Sequence, residues 1–530
     1  MKDRTQEGNE YLNLGNRYII YGDAKKAKEC YERCLEIAKE LRCRDAEGTA
    51  YGCLGNAYRY LGNTEKAIES YDNWLKLAKE VGNKMAEGHA CGSLGNAYRS
   101  QGELKKAIEY FELQLKIVLA LGDEAEKGRV YGTLADAYQS QGDFKKATDF
   151  FEIGLKFFKE TGDRDGEMRV YSSLGRAFYD FEDFSKAIDC YQSYLKTAEE
   201  GGQGAGRGYL PGNWLFAEKA GDKVGREQAY AYLGRSYQSL GNWKQAIFYI
   251  ELYLQIAKEL GDRAGELEAC ASLGVAYDSL GNFEKAKDYF EVQIKLAEEM
   301  GDRAGLGCAY GRLGSAFHSL GDFQKAILYL EKHLEILTEG GDTAQKRLAY
   351  DSLGIAYRSL GNFQKALHYH ELHLKLSKEL GDKHGEGCAY AKLGNVYHSL
   401  KNFKKAIEYH ELNLKIANEI GDRAEEGRCS ARLGTCYHAL GYFEKAISYY
   451  EIFLKITEDV GEEAEHATAF ENLGSAYYGI RDFKSAIHYF ERHLQMTKIV
   501  GDKNGERCAY VNLGSAYQGL GDFKSAIDFI

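Results

Sequence analysis

One unit of sequence, written again about every 40 residues, limits this chain more than anything else in it. The dipeptide Leu-Gly marks the unit. Its leucine stands at Leu14, Leu54, Leu94, Leu134, Leu174, Leu233, Leu273, Leu313, Leu353, Leu393, Leu433, Leu473 and Leu513. The spacing is 40 throughout except for one interval of 59, giving thirteen repeats, and Ala135 replaces the glycine in the fourth. A period of this size belongs to a small supersecondary element that buries its apolar face only against copies of itself. The 530 residues are therefore not divided into three or four unrelated globular domains, as length alone would suggest.

Each repeat holds two helical patterns. In the second repeat Tyr51, Leu54, Gly55 and Tyr58 lie on one helical face. Gly62-Asn63 then supplies a helix stop and a helix N-cap. The following helix carries Ala67, Tyr71, Trp74 and Leu75 on one face and stops at Gly82-Asn83. Two helices of about 17 residues and two tight turns account for the period. Alanine stands thirteen places after the anchor leucine in every repeat, from Ala27 to Ala526. A close helix crossing requires a small residue there, since a larger one would cost about 1–3 kcal/mol in overpacking. The glycine after the leucine serves the same approach, and the tyrosine or phenylalanine four places after the leucine fills the remaining space. The single proline of the chain, Pro211, is absent from all these helices, as uninterrupted helices demand.

The pattern Tyr-x-x-Leu-Gly-x-x-Tyr, followed by alanine and an aromatic, resembles the tetratricopeptide repeat. The length of 40, the missing tryptophan and inter-repeat proline, and the Leu-Gly-Asp-Arg/Lys junction resemble the longer repeats of the Pins/LGN family of G-protein-signalling modulators. They are also similar to those of tetratricopeptide repeat protein 28-like scaffolds. The resemblance implies an all-α, right-handed superhelical solenoid of about thirteen helix-turn-helix repeats, whose first helices line a concave face. It further implies protein binding in G-protein-linked or cell-polarity signalling, in the cytoplasm or at the cell cortex.

Composition excludes several classes. The net charge of −11 argues against nucleic acid as a partner. No run of 18 apolar residues is present to enter a membrane, and the start, MKDRTQEGNE, has no apolar signal core. The 12 cysteines are scattered through helical patterns, as at Cys53, Cys91, Cys270 and Cys436, and read as small buried thiols of a reducing compartment. No nucleophile, base and orienting acid depart together from the repeating faces, so no catalytic residue, cofactor or metal is assigned.

Repeats one to five occupy 1–200 and the remaining repeats 214–530, the last of them stopping partway through its second helix at Ile530. Between them, 201–213 reads GGQGAGRGYLPGN, with six glycines and the proline. It follows no strand and contains neither a GxGxxG register nor Gly-Lys-Ser/Thr, so it is read as a hinge or insertion and not as a phosphate cradle. The uncapped apolar end at Ile530 suggests a longer protein or association through that end.

If Tyr51, Leu54 and Tyr58 face the core, positions 49, 52, 56 and 59 share the open face, and the same register runs through every repeat. In the early repeats that stripe carries Asn16, Asn56, Arg59, His89, Asn96, Arg99, Arg129, Arg169, Arg176 and Arg235, with Asp136 the one acid. Its floor is small, at Gly52, Gly92, Gly132 and Ser172. Arginine forks suit paired carboxylates and asparagine suits backbone amides, so the expected ligand is an extended acidic peptide. The later stripe is mixed, with Glu268, Val275, Asp278, Ser315, His318, Ile355, Arg358, His398, Arg428 and His438. Its histidines, regularly spaced, read as solvated groove residues. An interaction scaffold is the leading reading. The alternatives are a self-associating spacer and the sensor arm of a larger multidomain signalling protein.

Overall fold

The computed structural model describes residues 2–200, 221–461 and 463–529. The stretch 201–213 lies outside them. Among the described residues there are 26 helices and no strand. They form two bodies, Met1–Gly281 and Asn282–Ile530. Each body is an all-α solenoid in which every helix packs on its sequence neighbours.

The turns form where the small and polar residues dictate. Gly62 and Gly82 take φ of 75° and 74°, left-handed values that glycine adopts without a Cβ penalty. Asn63 Oδ1 then accepts from Lys66 N at 3.1 Å, and Asn83 Oδ1 from Ala86 N at 3.1 Å. Most junctions in both bodies repeat this device. At four of them the glycine is replaced, and Arg42, Glu182, Lys401 and Arg481 are held at positive φ instead.

Close crossing of the two helices rests on the predicted small residues. The alanine thirteen places after each anchor leucine is fully buried from Ala27 to Ala486 and nearly so at Ala526. A Cβ on Gly55 would lie 2.4 Å from the Tyr71 ring, and one on Gly434 would lie 2.6 Å from the Tyr450 ring. The anchor leucines are buried from Leu54 onward, whereas Leu14 is 39% exposed.

A polar and aromatic ladder stitches the pairs. The aromatic four places after the anchor stacks on the aromatic twelve places later, as in Tyr138–Phe150 and Tyr397–Tyr409, with centroids 5.5 and 5.4 Å apart. A lysine ammonium caps the other face of the first ring, with Lys146 4.9 Å from Tyr138 and Lys405 5.0 Å from Tyr397. The tyrosine hydroxyl donates backward to a glutamate of the preceding repeat, at 3.0 Å for Tyr138 to Glu112 and 2.7 Å for Tyr357 to Glu331.

All 12 cysteines are free. The expectation of buried thiols holds for Cys91, Cys270 and Cys436, while Cys53 is half-buried. It fails at Cys43, Cys308 and Cys508, which are exposed because Cys43 lies in a turn and the other two stand five places before their anchors, in the register of the open face. Burial pushes the Cys190 thiol up to about 12, which makes it inert as a nucleophile. No described helix is long and apolar enough to cross a membrane.

Candidate peptide groove

All ten expected groove residues belong to first helices of the first body. Asn16, Asn56, Arg59, His89, Arg129 and Arg176 are exposed, and Asn96, Arg99, Arg169 and Arg235 are half-buried.

The expected floor is different. Gly52 and Gly92 are buried, because the second helix of the same repeat places a large residue over each. A Cβ on Gly52 would meet Trp74 at 2.9 Å, and one on Gly92 would meet Gln114 at 2.7 Å. These glycines therefore admit a neighbour and do not pave an open surface. Gly132 is the exception. It has nothing within 4 Å of an added Cβ, because Gly154 stands where Trp74 and Gln114 stand in their repeats. In the fourth repeat Gly132 is therefore open to the groove, while Gly154 lies close under the first helix, where a Cβ would be 3.2 Å from Gly128 O.

Several groove groups are already committed. Asn16 Oδ1 accepts from the Tyr31 hydroxyl at 2.8 Å, and Asn56 Oδ1 from Tyr71 at 2.7 Å. Each asparagine is oriented by that bond, with its amide donors still to offer. Arg99 donates to Asn96 at 3.1 Å, and Arg129 pairs with Glu126 at 3.0 Å. Arg169 lies 5.7 Å from the Phe158 ring. Arg235 lies over the Tyr232 ring and is held by Glu268, which also accepts from the Tyr253 hydroxyl at 3.3 Å. Glu268, placed by sequence among the mixed later residues, thus neutralises the last arginine of the early stripe.

The electrostatic centre of the stripe is Asp136. It is half-buried, and Arg99, Arg169 and Arg176 act on it from the helices before and after. Loss of solvent raises its pKa, while the three guanidinium groups pull in the opposite direction. Burial prevails, so the carboxyl is raised even with three guanidinium groups acting on it.

The second body has no comparable stripe. His318 Nε2 lies 3.0 Å from Ser359 Oγ, and burial lowers its pKa. His398 and His438 lean edge-on against Phe403 and Phe443, with centroids 5.2 and 5.1 Å apart. They are half-buried packing groups and not the solvated residues their regular spacing suggested. Arg428 is tied to Glu425 at 2.7 Å, and Arg432 reaches the same carboxylate at 2.8 Å. Sequence reading passed over Asp351, His370 and His373, which converge in this body. The signal that could have found them was a position-by-position comparison of repeats, in which this repeat alone changes three inward positions together.

A family model described as tetratricopeptide repeat matches residues 46–120, 89–160, 126–200, 226–299, 305–379, 385–459 and 465–530. A second model of that description matches 11–41. No curated protein matches the chain. Among solved structures, BtubC (BKLC) from P. vanneervenii is 24% identical, with a TM-score of 0.37 over 39% of this chain and 88% of its own. The apo form of RapI is 15% identical, with a TM-score of 0.48 over 71% of this chain and 98% of its own. A putative kinesin light chain of Podosopora anserina with nearly identical TPR-like repeats is 18% identical, with a TM-score of 0.34 over 38% of this chain and 99% of its own.

Proposed function

The chain belongs to the tetratricopeptide repeat family, and from that premise we propose that it is a protein-interaction scaffold whose first body takes an extended acidic peptide. The observation that carries the reading is the set of three arginines that act on Asp136. Arg99, Arg169 and Arg176 converge there from helices on either side of it, in a chain whose net charge is −11. A carboxylate of the ligand would meet at least two guanidinium groups beside Asp136. A ligand side chain would lie against the open position at Gly132, and Asn56 and Asn96 would address the ligand backbone.

Individual exposed pairs contribute only about 0.2–1 kcal/mol each, so affinity would come from several repeats engaged together. The ligand is extended because the groove residues recur once per repeat along successive helices. The Pins/LGN-like form of the repeat extends the reading to partners in G-protein-linked or cell-polarity assemblies.

Fluorescence anisotropy with a labelled peptide library, acidic and charge-neutral versions in parallel, tests the proposal. The purified chain should prefer acidic members. The variant Arg99→Glu/Arg169→Glu/Arg176→Glu, shown helical by circular dichroism, should lose that preference. Equal binding of acidic and neutral peptides by both proteins would sink it.

A further inference from the structure

Three inward positions depart from the repeat pattern together in one place. Two residues before the anchor, most repeats have glycine, alanine or serine, as at Gly92, Ala391 and Ser172, but this repeat has Asp351. Seventeen residues after the anchor, where Tyr71, Phe111 and Phe490 stand in their repeats, it has His370, and twenty after it has His373. All three lie in the second body.

Their side chains converge. His370 and His373 are buried, at 0% and 1% exposure, and Asp351 keeps a partial opening toward the face of the first helices. His370 Nδ1 is 3.4 Å from Asp351 Oδ1, and His373 Nδ1 is 3.5 Å from the same oxygen. One ligand atom from each residue lies within 4.8 Å of the others. These two contacts have ion-pair length but not the geometry of a hydrogen bond, so Asp351 Oδ1, His370 Nδ1 and His373 Nδ1 face one another without a well-formed bond, and His370 Nε2 is buried with no hydrogen-bond partner. Buried polar atoms that lack a well-formed hydrogen bond are rare.

We propose that Asp351, His370 and His373 form a binding site for a divalent transition-metal ion such as zinc, which two imidazoles and a carboxylate suit. Zinc takes imidazole nitrogen at about 2.0–2.1 Å and carboxylate oxygen at about 2.0–2.2 Å. In a tetrahedral site those lengths put neighbouring ligand atoms about 3.3–3.5 Å apart; the two Asp–His separations are of that size, and all three ligand atoms lie within 4.8 Å of one another, so a small closure would complete the set. An octahedral ion would draw them to about 2.9 Å. Two imidazoles and one carboxylate leave the fourth position open on the side where Asp351 is accessible.

The surroundings bear on affinity. Gly354 lets the His370 ring lie flat against the first helix, since a Cβ there would be 2.6 Å from Nδ1. Arg347 contacts His373 Nε2 at 3.1 Å and Asp382 at 3.4 Å, and Lys392 acts on Asp351 from the next repeat. When His373 ligates through Nδ1 its Nε2 carries the proton, so Arg347 must turn from the ring to Asp382. Arg347 is therefore a competitor of the ion. Other repeats lack the set. Glu471 acts on His493 in a similar arrangement, but Phe490 occupies the position of the third donor.

The test is zinc content after equilibrium dialysis of the full chain, with cobalt absorption as the geometric readout. Asp351→Gly and His370→Phe serve as variants, because both residues already occupy these positions in other repeats. The wild type should hold one more zinc ion than either variant, bind it at least about tenfold more tightly, and give the strong visible bands of four-coordinate cobalt. Zinc should raise the melting temperature of the wild type alone. Arg347→Gln should bind more tightly than the wild type, and weaker binding by that variant would overturn the ligand set. Equal zinc content and equal melting shifts in the wild type and both variants would place the metal on thiols elsewhere and overturn the proposal, as would no zinc uptake by the wild type.

Discussion

The Tyr357 hydroxyl donates to Glu331 Oε1 at 2.7 Å, across the boundary between two successive repeats. The same ring stacks on Tyr369 at 5.5 Å and lies under the Lys365 ammonium at 4.6 Å. Phenylalanine already occupies this position at Phe178 and Phe317. Tyr357→Phe should therefore keep the packing and lose only the bonds to its hydroxyl, a cost of about 0.5–1.5 kcal/mol. Tyr357→Ala should cost about 3–5 kcal/mol. Urea unfolding separates the two, and equal losses would show that the ladder depends on the hydroxyl and not on the ring.

Lys401 holds φ of 57° at a junction where most repeats have glycine. A left-handed backbone costs a side-chain-bearing residue roughly 1–2 kcal/mol. Lys401→Gly should raise stability by about 1 kcal/mol, and Gly421→Ala, at φ of 74°, should lower it by a similar amount. Thermal melts of the two variants should move in opposite directions. A fall in both would mean that the Lys401 side chain contributes more than its backbone costs.

Glu425 links acid sensitivity to one network. Burial pushes its carboxyl up, but Arg432, Arg428 and the Asn413 amide outweigh this and bring it down to about 2. The folded value lies below the unfolded one, so the stabilisation is present in full above about pH 5 and is lost as the pH falls toward 2. Its size is at most about 3 kcal/mol. Denaturant titrations of wild type and Glu425→Gln across that window should converge as the pH falls. Parallel curves would remove Glu425 from the account.

Asp136 opposes the proposed ligand while it orients the arginines. Asp136→Asn should strengthen binding of an acidic peptide about two- to fivefold at low salt, with the gain fading as salt is raised. Glu268→Gln should act in the same direction by freeing Arg235 from its partner. Anisotropy titrations at two salt concentrations check both. Weaker binding in Asp136→Asn would show that the carboxylate supports the groove.

Much of the fold is legible in the repeat because each signal acts locally. The Gly-Asn and Gly-Asp stops, the alanine at the crossing and the glycine beneath Tyr71 all work within a single helix pair. The groove is less legible because it is made between repeats. Arg235 and Glu268 are 33 residues apart, and only the stacking of first helices brings them together. Gly52 was misplaced for a related reason: helical periodicity assigns it to the open face, but the bulk of Trp74 arrives from the second helix and covers it. Asp351, His370 and His373 lie on three register positions that mean nothing singly.

The ladder that joins each helix pair only to the next makes each body behave as a spring in series. Tension along the chain would fall on one boundary at a time, where a tyrosine–glutamate hydrogen bond helps to hold two repeats together. A pair that yielded would release about 130–140 Å of extended chain while its neighbours stayed folded. Such a body would lengthen in steps and recoil without unfolding as a whole.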